Sequence, residues 1–126
     1  MTTILIVDDQ DAVRMTLRDA LEQEGFHVQE ARNGAEAILM YRENPADVVV
    51  TDIIMPDKEG IETIIELRDL APDVKIIAIS GGGRNRTNDF LDMAKKLGAA
   101  HVLRKPFRMK ELVDLVKSCL ANGRHG

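Results

Sequence analysis

The stretch ILIVDD at residues 4–9 decides the fold, because four apolar residues run without interruption and end in two aspartates. Unbroken apolar runs of this length are typical of a strand buried on both faces of a parallel sheet. Two further runs have the same character, VVV at residues 48–50 and IIAI at residues 76–79. Weaker strand patterns lie at residues 27–31 and 100–103. The sequence therefore predicts five strands that share one buried sheet.

Helical patterns, with apolar residues three or four positions apart, separate these strands. We predict five helices, at residues 12–24, 34–43, 59–70, 88–97 and 109–120. Strand and helix thus alternate along the chain, which is the order of consecutive βαβ units. Crossovers of this kind are right-handed and place helices on both faces of the sheet. The sequence predicts an α/β fold built on a doubly wound parallel sheet.

The totals describe one ordinary globular domain. The chain has 126 residues, of which 44% are hydrophobic and 30% charged, with a net charge of −4. This charge argues against a nucleic-acid-binding surface. We assign residues 1–121 to the domain and the polar residues 122–126 to a short disordered tail. The polar ending and the Met1 start favour a stand-alone protein over a piece excised from a longer one.

Cysteine content and apolar run lengths indicate the compartment. The single Cys119 excludes an internal disulfide framework and suits a reducing environment. It falls on an apolar helical stripe, which favours a place in the core over a role as a nucleophile. No apolar run approaches the roughly 18 residues needed to cross a bilayer. The residues before the first strand lack the basic leader of a signal peptide. We expect a cytoplasmic protein without membrane contact.

Polar residues follow four of the five predicted strands. Asp8 and Asp9 come after the first strand, Asp52 ends the third, Ser80 follows the fourth and Lys105 follows the fifth. In open α/β sheets the ligand site lies beyond the carboxyl ends of the strands. We therefore expect three carboxylates, one hydroxyl and one ammonium to converge at one edge of the sheet.

Each of these residues also has an ordinary structural interpretation when it is taken singly. Asp8 and Asp9 could cap the following helix, and Asp52 could be a turn residue. Ser80 before three glycines could be a loop residue, and Lys105 a surface lysine. Their joint placement on the strand ends favours a functional site.

The chemistry of such a site is that of metal-assisted phosphoryl transfer. Three close carboxylates repel one another unless a cation is present, and Mg²⁺ prefers oxygen ligands. Asp9 and Asp52 could ligate it directly, and Asp8 directly or through water. A carboxylate can act as a nucleophile and form an aspartyl phosphate. Lys105 would offer positive charge, and Ser80 a hydrogen bond, to the phosphoryl oxygens.

Four stretches together resemble the receiver domains of two-component response regulators across residues 3–121. They are ILIVDD at 4–9, VVVTDIIMP at 48–56, ISG at 79–81 and KPF at 105–107. The resemblance implies a flavodoxin-like sheet of order 2-1-3-4-5. It also implies that a histidine kinase or a phosphotransfer protein is the partner that donates the phosphoryl group.

The resemblance further implies a role for each site residue. Asp52 would be the phosphoacceptor, assisted by Lys105 and Ser80. Mg²⁺ would be held by Asp9, Asp52 and the backbone carbonyl of Ile54, with Asp8 alongside. The peptide bond before Pro106 would be cis. Such a domain phosphorylates and dephosphorylates only itself, so it is not an enzyme in the usual sense.

One position departs from the family pattern. Family members often carry an aromatic residue three positions before the lysine, and that residue turns inward on phosphorylation. Val102 stands there in this chain. The resemblance implies that an unknown downstream protein binds the surface of the fourth helix, fifth strand and fifth helix. How the chain switches this surface without the aromatic is left open.

Three alternative functions remain. Residues 9–13 fit the D-x-D-x-V motif of haloacid-dehalogenase-type phosphohydrolases, in which Asp9 would be the nucleophile and Asp11 the general acid. This hypothesis leaves Asp52 without a role, and the chain lacks a late acidic pair. A second alternative is an interaction module of the same fold that works without phosphorylation. The third, a flavodoxin-type electron carrier, would need a hydroxyl-rich phosphate loop after the first strand.

Overall fold

A computed structural model describes residues 2–53, 59–80, 92 and 94–123 of the chain. The strands are β1 (Thr3–Val7), β2 (His27–Ala31), β3 (Val48–Asp52), β4 (Lys75–Ser80) and β5 (His101–Arg104). The helices are α1 (Asp11–Gln23), α2 (Gly34–Glu43), α3 (Glu59–Leu70) and the C-terminal helix (Met109–Gly123). The predicted alternation of strand and helix is confirmed in these ranges.

The five strands form one parallel sheet in the order β2-β1-β3-β4-β5. The pairing register brings Asp52 opposite Ile79 and Ser80 opposite Arg104. Because the strands are parallel, the carboxyl ends of β1, β3, β4 and β5 meet at the same edge. The predicted α/β class and strand order are confirmed.

Two apolar layers cover the two faces of the sheet. One layer packs α2 and α3 against alternate strand residues such as Leu5, Val49 and Ile76. The other packs α1 and the C-terminal helix against the residues between them, such as Ile6 and Val50. Side chains of a strand point alternately to opposite faces, so a strand covered on both sides must be apolar throughout. This explains the unbroken runs that the sequence shows.

The helix predicted at residues 88–97 lies mostly outside the described residues, within which residues 92 and 94–96 are helical. The C-terminal helix differs from its predicted end. It continues through Gly123, so Asn122 and Gly123 are helical although we assigned them to the tail. Glycine is common where helices stop, and the described helix reaches Gly123, three residues beyond Leu120. Among the described residues, no helix is both long and apolar enough to span a bilayer.

Candidate functional site

Three aspartates meet at the carboxyl edge of the sheet. Carboxylate oxygens of Asp8, Asp9 and Asp52 all lie within 4.8 Å of one another. Asp8 and Asp52 are buried, whereas Asp9 is exposed. The sequence placed these residues after β1 and at the end of β3, and the structure brings all three together. The site therefore concentrates negative charge at a place that is only partly open to water.

Asp8 is held at several points. Its backbone N–H donates to the carbonyl of Ala31 at 3.1 Å, and its Oδ1 accepts the N–H of Gln10 at 2.8 Å. Burial raises the pKa of Asp8 above its ordinary value, because a charged carboxylate loses water there. The Gln10 bond and the ammonium of Lys105 oppose this rise in pKa. The negative charge of the neighbouring Asp9 raises the pKa of Asp8 further.

Lys105 reaches the carboxylates from the end of β5. Its Nζ lies 3.7 Å from Oδ2 of Asp52 and 4.0 Å from Oδ2 of Asp8. The peptide bond between Lys105 and Pro106 is cis, as the resemblance implied. The Lys105 backbone N–H donates to the carbonyl of Ser80 at 2.8 Å, which ties the ends of β4 and β5 together. One ammonium thus faces two of the three carboxylates.

Ser80 occupies the last position of β4 and is completely buried. Its Oγ has no hydrogen-bond partner in the part of the chain that the structure describes. A buried hydroxyl without a partner is unfavourable by roughly 1–3 kcal/mol, and such groups call for a functional explanation. By contrast, the buried hydroxyl of Thr51 donates to the carbonyl of Asp52 at 3.1 Å. Ser80 therefore offers an unused hydrogen bond at the acidic edge.

Several alternative interpretations can now be compared with the geometry. The sequence left open that Asp8 and Asp9 cap the following helix. The N-cap position of α1 is instead occupied by Gln10, whose side chain makes no capping bond, so helix capping does not explain the pair of aspartates. Asp11 is exposed and forms an ion pair with Arg14. The described acidic cluster contains Asp52 and not Asp11, which is the reverse of what the phosphohydrolase alternative requires.

The donor set fits a hard divalent cation. The three convergent side chains supply only carboxylate oxygens, the ligand type that Mg²⁺ prefers. The raised pKa of Asp8 shows that the single ammonium of Lys105 does not offset the burial of that carboxylate. Ile54, whose carbonyl the resemblance added to the ligand set, lies outside the described residues, as does Gly81.

Two residues of the site's surroundings were not singled out by the sequence. A Cβ atom on Gly60, in the first turn of α3, would overlap the backbone of Asp52 and Ile53. Arg14 of α1 is buried, and its guanidinium donates to the carbonyl of Asp8 at 2.7 Å. The sequence signal for Arg14 is weak: it lies three positions before Leu17, on the apolar face of the helix. Nothing in the sequence marks the close approach at Gly60.

A comparison with known families decides the classification. The profile described as the response regulator receiver domain matches residues 4–117. The chain belongs to the response regulator receiver domain family. Receiver domains are signalling domains of two-component systems, and they interact with histidine kinases or phosphotransfer proteins. The match covers both the acidic edge and the sheet that supports it.

Individual relatives agree with this family assignment. The receiver is 36% identical to the response regulator receiver protein CpdR of Brucella abortus, over 95% of this chain and 98% of CpdR. It is 39% identical to the sensor kinase CckA of the same organism over 94% of this chain, but it spans only 12% of CckA. A receiver domain structure from Clostridium thermocellum superimposes with a TM-score of 0.91 at 28% identity, covering 98% of each chain.

Val102 is the departure from the family pattern that the sequence revealed. In the receiver it lies on β5, opposite Ala78, and is half-buried. It packs against the apolar layer formed by α2 and α3. A valine has a single χ1 torsion and no ring that could swing between solvent and core. The position therefore holds a packed aliphatic side chain in place of an aromatic one.

Proposed function

We propose that the receiver accepts a phosphoryl group on Asp52 from the phosphohistidine of a histidine kinase or phosphotransfer protein. The phosphorylated form then binds a downstream protein. The observation that carries this proposal is the grouping of Asp52 with Asp8, Asp9 and Lys105. A buried hydroxyl that lacks a described partner, that of Ser80, lies at the end of the adjacent strand β4.

The proposed transfer needs an oxygen nucleophile and neutralisation of charge. A carboxylate oxygen of Asp52 attacks the phosphorus, the phosphorus–nitrogen bond to the donor imidazole breaks, and the imidazole nitrogen keeps the electron pair. Lys105, 3.7 Å from Asp52, is placed to pair with a phosphoryl oxygen. Ser80 donates its unused hydroxyl hydrogen to another phosphoryl oxygen.

Mg²⁺ is the proposed cofactor. Asp9 and Asp52 would ligate it, Asp8 would ligate it directly or through water, and the carbonyl of Ile54 would complete the protein ligands. When bound, the ion offsets the repulsion between the carboxylates and the incoming phosphoryl group. The convergence of three carboxylates, an all-oxygen donor set, supports this assignment.

Phosphorylation by a small donor tests the proposal. With acetyl phosphate and Mg²⁺, we expect intact mass spectrometry to show the addition of one phosphoryl group. Asp52→Asn removes the nucleophile and should abolish the adduct. Asp19→Asn, which changes an exposed aspartate on α1, should leave it unchanged. Full labelling of the Asp52→Asn protein would overturn the assignment.

The same preparation distinguishes the alternatives. A phosphohydrolase that uses Asp9 and Asp11 would turn over a small phosphate ester many times, and Asp11→Asn would stop it. An interaction module would show no adduct and would bind its target with or without the donor. The exposed position of Asp11 and its ion pair with Arg14 count against the phosphohydrolase, in which Asp11 would have to act beside Asp9.

A further inference from the structure

Arg14 is a buried cation behind the acidic edge. The residue is 7% exposed, although arginine is rarely buried without partners. Its guanidinium has three: Nε donates to Oε1 of Glu30 at 3.2 Å, one terminal nitrogen bonds the carboxylate of Asp11, and the other donates to the carbonyl of Asp8 at 2.7 Å. Three acceptors in different directions suit the planar fork of arginine and no other side chain.

The bond to Asp8 falls on a particular peptide group. The carbonyl of Asp8 belongs to the peptide that joins Asp8 to Asp9, and the tilt of this peptide depends on ψ of Asp8 and φ of Asp9, the two soft backbone torsions between the residues that carry the carboxylates. The preceding N–H of Asp8 is held by Ala31, and the following N–H of Gln10 is held by the Asp8 carboxylate. The Arg14 bond holds the peptide that lies between these two anchors.

Glu30 of strand β2 fixes the orientation of the Arg14 guanidinium. Glu30 accepts from Arg14 through one oxygen and from Arg18 through the other, at 2.7 Å. Arg18 also pairs with Glu22 on the solvent side of α1. The buried charge of Arg14 is therefore balanced, and its orientation is restrained by a second element of the fold.

We propose that Arg14 is a positioning residue for the metal site: by holding the peptide between Asp8 and Asp9, it presets their carboxylates for a divalent cation. Glu30 orients Arg14 for this role. The inference rests on the proposed function, because it takes Asp8 and Asp9 to be metal ligands. Residues that orient metal ligands commonly change metal affinity by about 10–100-fold when they are removed.

Electrostatics and positioning make opposite predictions for Arg14. If Arg14 acted only through its charge, its removal would leave the site more negative and Mg²⁺ would bind more tightly. If it positions the ligands, its removal weakens binding. Arg18 is the matched control, since it lies on the same helix and also pairs with Glu30, but its other hydrogen bond goes to the exposed Glu22 and not toward the acidic edge.

The test is a calorimetric Mg²⁺ titration of folded variants, with folding checked by amide NMR. Arg14→Met combined with Glu30→Gln removes the contact and also neutralises the half-buried Glu30 carboxylate, which would otherwise lose its partner Arg14. We expect the Kd to rise about tenfold or more. Arg18→Met should leave the Kd unchanged or slightly lower. Arg14→Lys keeps the charge but loses the fork, so it should also weaken binding. If the double variant does not fold, Arg14→Lys takes its place in the titration.

A second readout needs no metal. Loosening the turn frees the Gln10 N–H from the Asp8 carboxylate, so its hydrogen exchange should accelerate in the Arg14 variants and not in Arg18→Met. Wild-type protein that binds no Mg²⁺ would overturn the proposed function and this inference together. Wild-type protein that binds Mg²⁺ no more tightly than the Arg14 variants would overturn this inference alone.

Discussion

Ser80 carries a hydroxyl that is buried at the acidic edge with no partner among the described residues. Under the proposed function, this unfavourable group lies where a phosphoryl oxygen would be bound. Thr51, on the neighbouring strand, is buried just as completely, but its hydroxyl bonds the carbonyl of Asp52. We therefore expect the Ser80 hydroxyl to destabilise the unphosphorylated protein and the Thr51 hydroxyl to stabilise it.

Ser80→Ala tests this difference. Because it removes a desolvated hydroxyl without breaking a described hydrogen bond, we expect the free energy of unfolding of the unphosphorylated protein to stay constant or rise by about 1 kcal/mol. Thr51→Val, the matched control, should lower it by about 1 kcal/mol. Urea denaturation measures both. A clear loss of stability in Ser80→Ala would show that the hydroxyl already has a partner in the resting state.

At the scale of elements, α3 begins close against the end of β3. Gly60 lies in the first turn of α3, where a Cβ would overlap the Cα of Ile53 and crowd the carbonyl of Asp52. These are backbone atoms and cannot rotate away. The absence of a side chain at Gly60 thus lets the helix start directly against the strand end that carries Asp52.

Gly60→Ala should therefore destabilise the protein, although alanine is the better helix former by roughly 1 kcal/mol. Overpacking against a fixed backbone commonly costs about 1–3 kcal/mol, and we expect the denaturation midpoint to fall accordingly. Labelling of Asp52 by acetyl phosphate should also slow as β3 shifts. Gly25→Asn is the contrasting variant, because Gly25 has open space around it but a φ of +89°. Any loss of stability there comes from backbone strain and not from overlap, and it should leave the labelling of Asp52 unchanged. An unchanged midpoint in Gly60→Ala would contradict the close approach.

Most of the fold and part of the site could be predicted from the strand pattern. The apolar runs at β1, β3 and β4 predict buried strands, and strand order then brings Asp8, Asp52 and Ser80 to one edge without any knowledge of side-chain contacts. Gly60 and Arg14 could not be found in this way. Each acts through a tertiary contact with another element, and a local sequence pattern does not show such contacts. The sequence shows that Val102 departs from the aromatic residue usual in the family, but only the fold shows that it packs against the α2–α3 layer.

At the scale of the whole molecule, one sheet separates two apolar layers, and none of the helices described in full contributes to both. Cys119 lies in the layer formed by α1 and the C-terminal helix and is 2% exposed. Burial raises the pKa of its thiol, and the charge of Lys75 opposes this only in part. A buried, protonated thiol is a poor nucleophile. The prediction that Cys119 belongs to the core is confirmed.

Thiol labelling should consequently report opening of this layer. We expect Cys119 to react with a disulfide reagent at least about 100-fold more slowly in the native protein than in urea, which corresponds to an opening free energy above about 2.7 kcal/mol. Cys119→Ser combined with Ala121→Cys places the thiol on the exposed side of the same helix and should label rapidly. Fast labelling of native Cys119 would indicate that the C-terminal helix detaches independently.

Tyr41 lies in the other layer, near the end of α2, and is buried. Its pKa is raised by burial and then by the carboxylate of Asp47, which precedes β3 and so marks the amino edge of the sheet. The chain has one tyrosine and no tryptophan. The tyrosine fluorescence of the protein therefore comes from Tyr41 alone, at the edge of the sheet opposite the aspartates. A change in this emission during denaturation would thus report the melting of the layer that contains Tyr41.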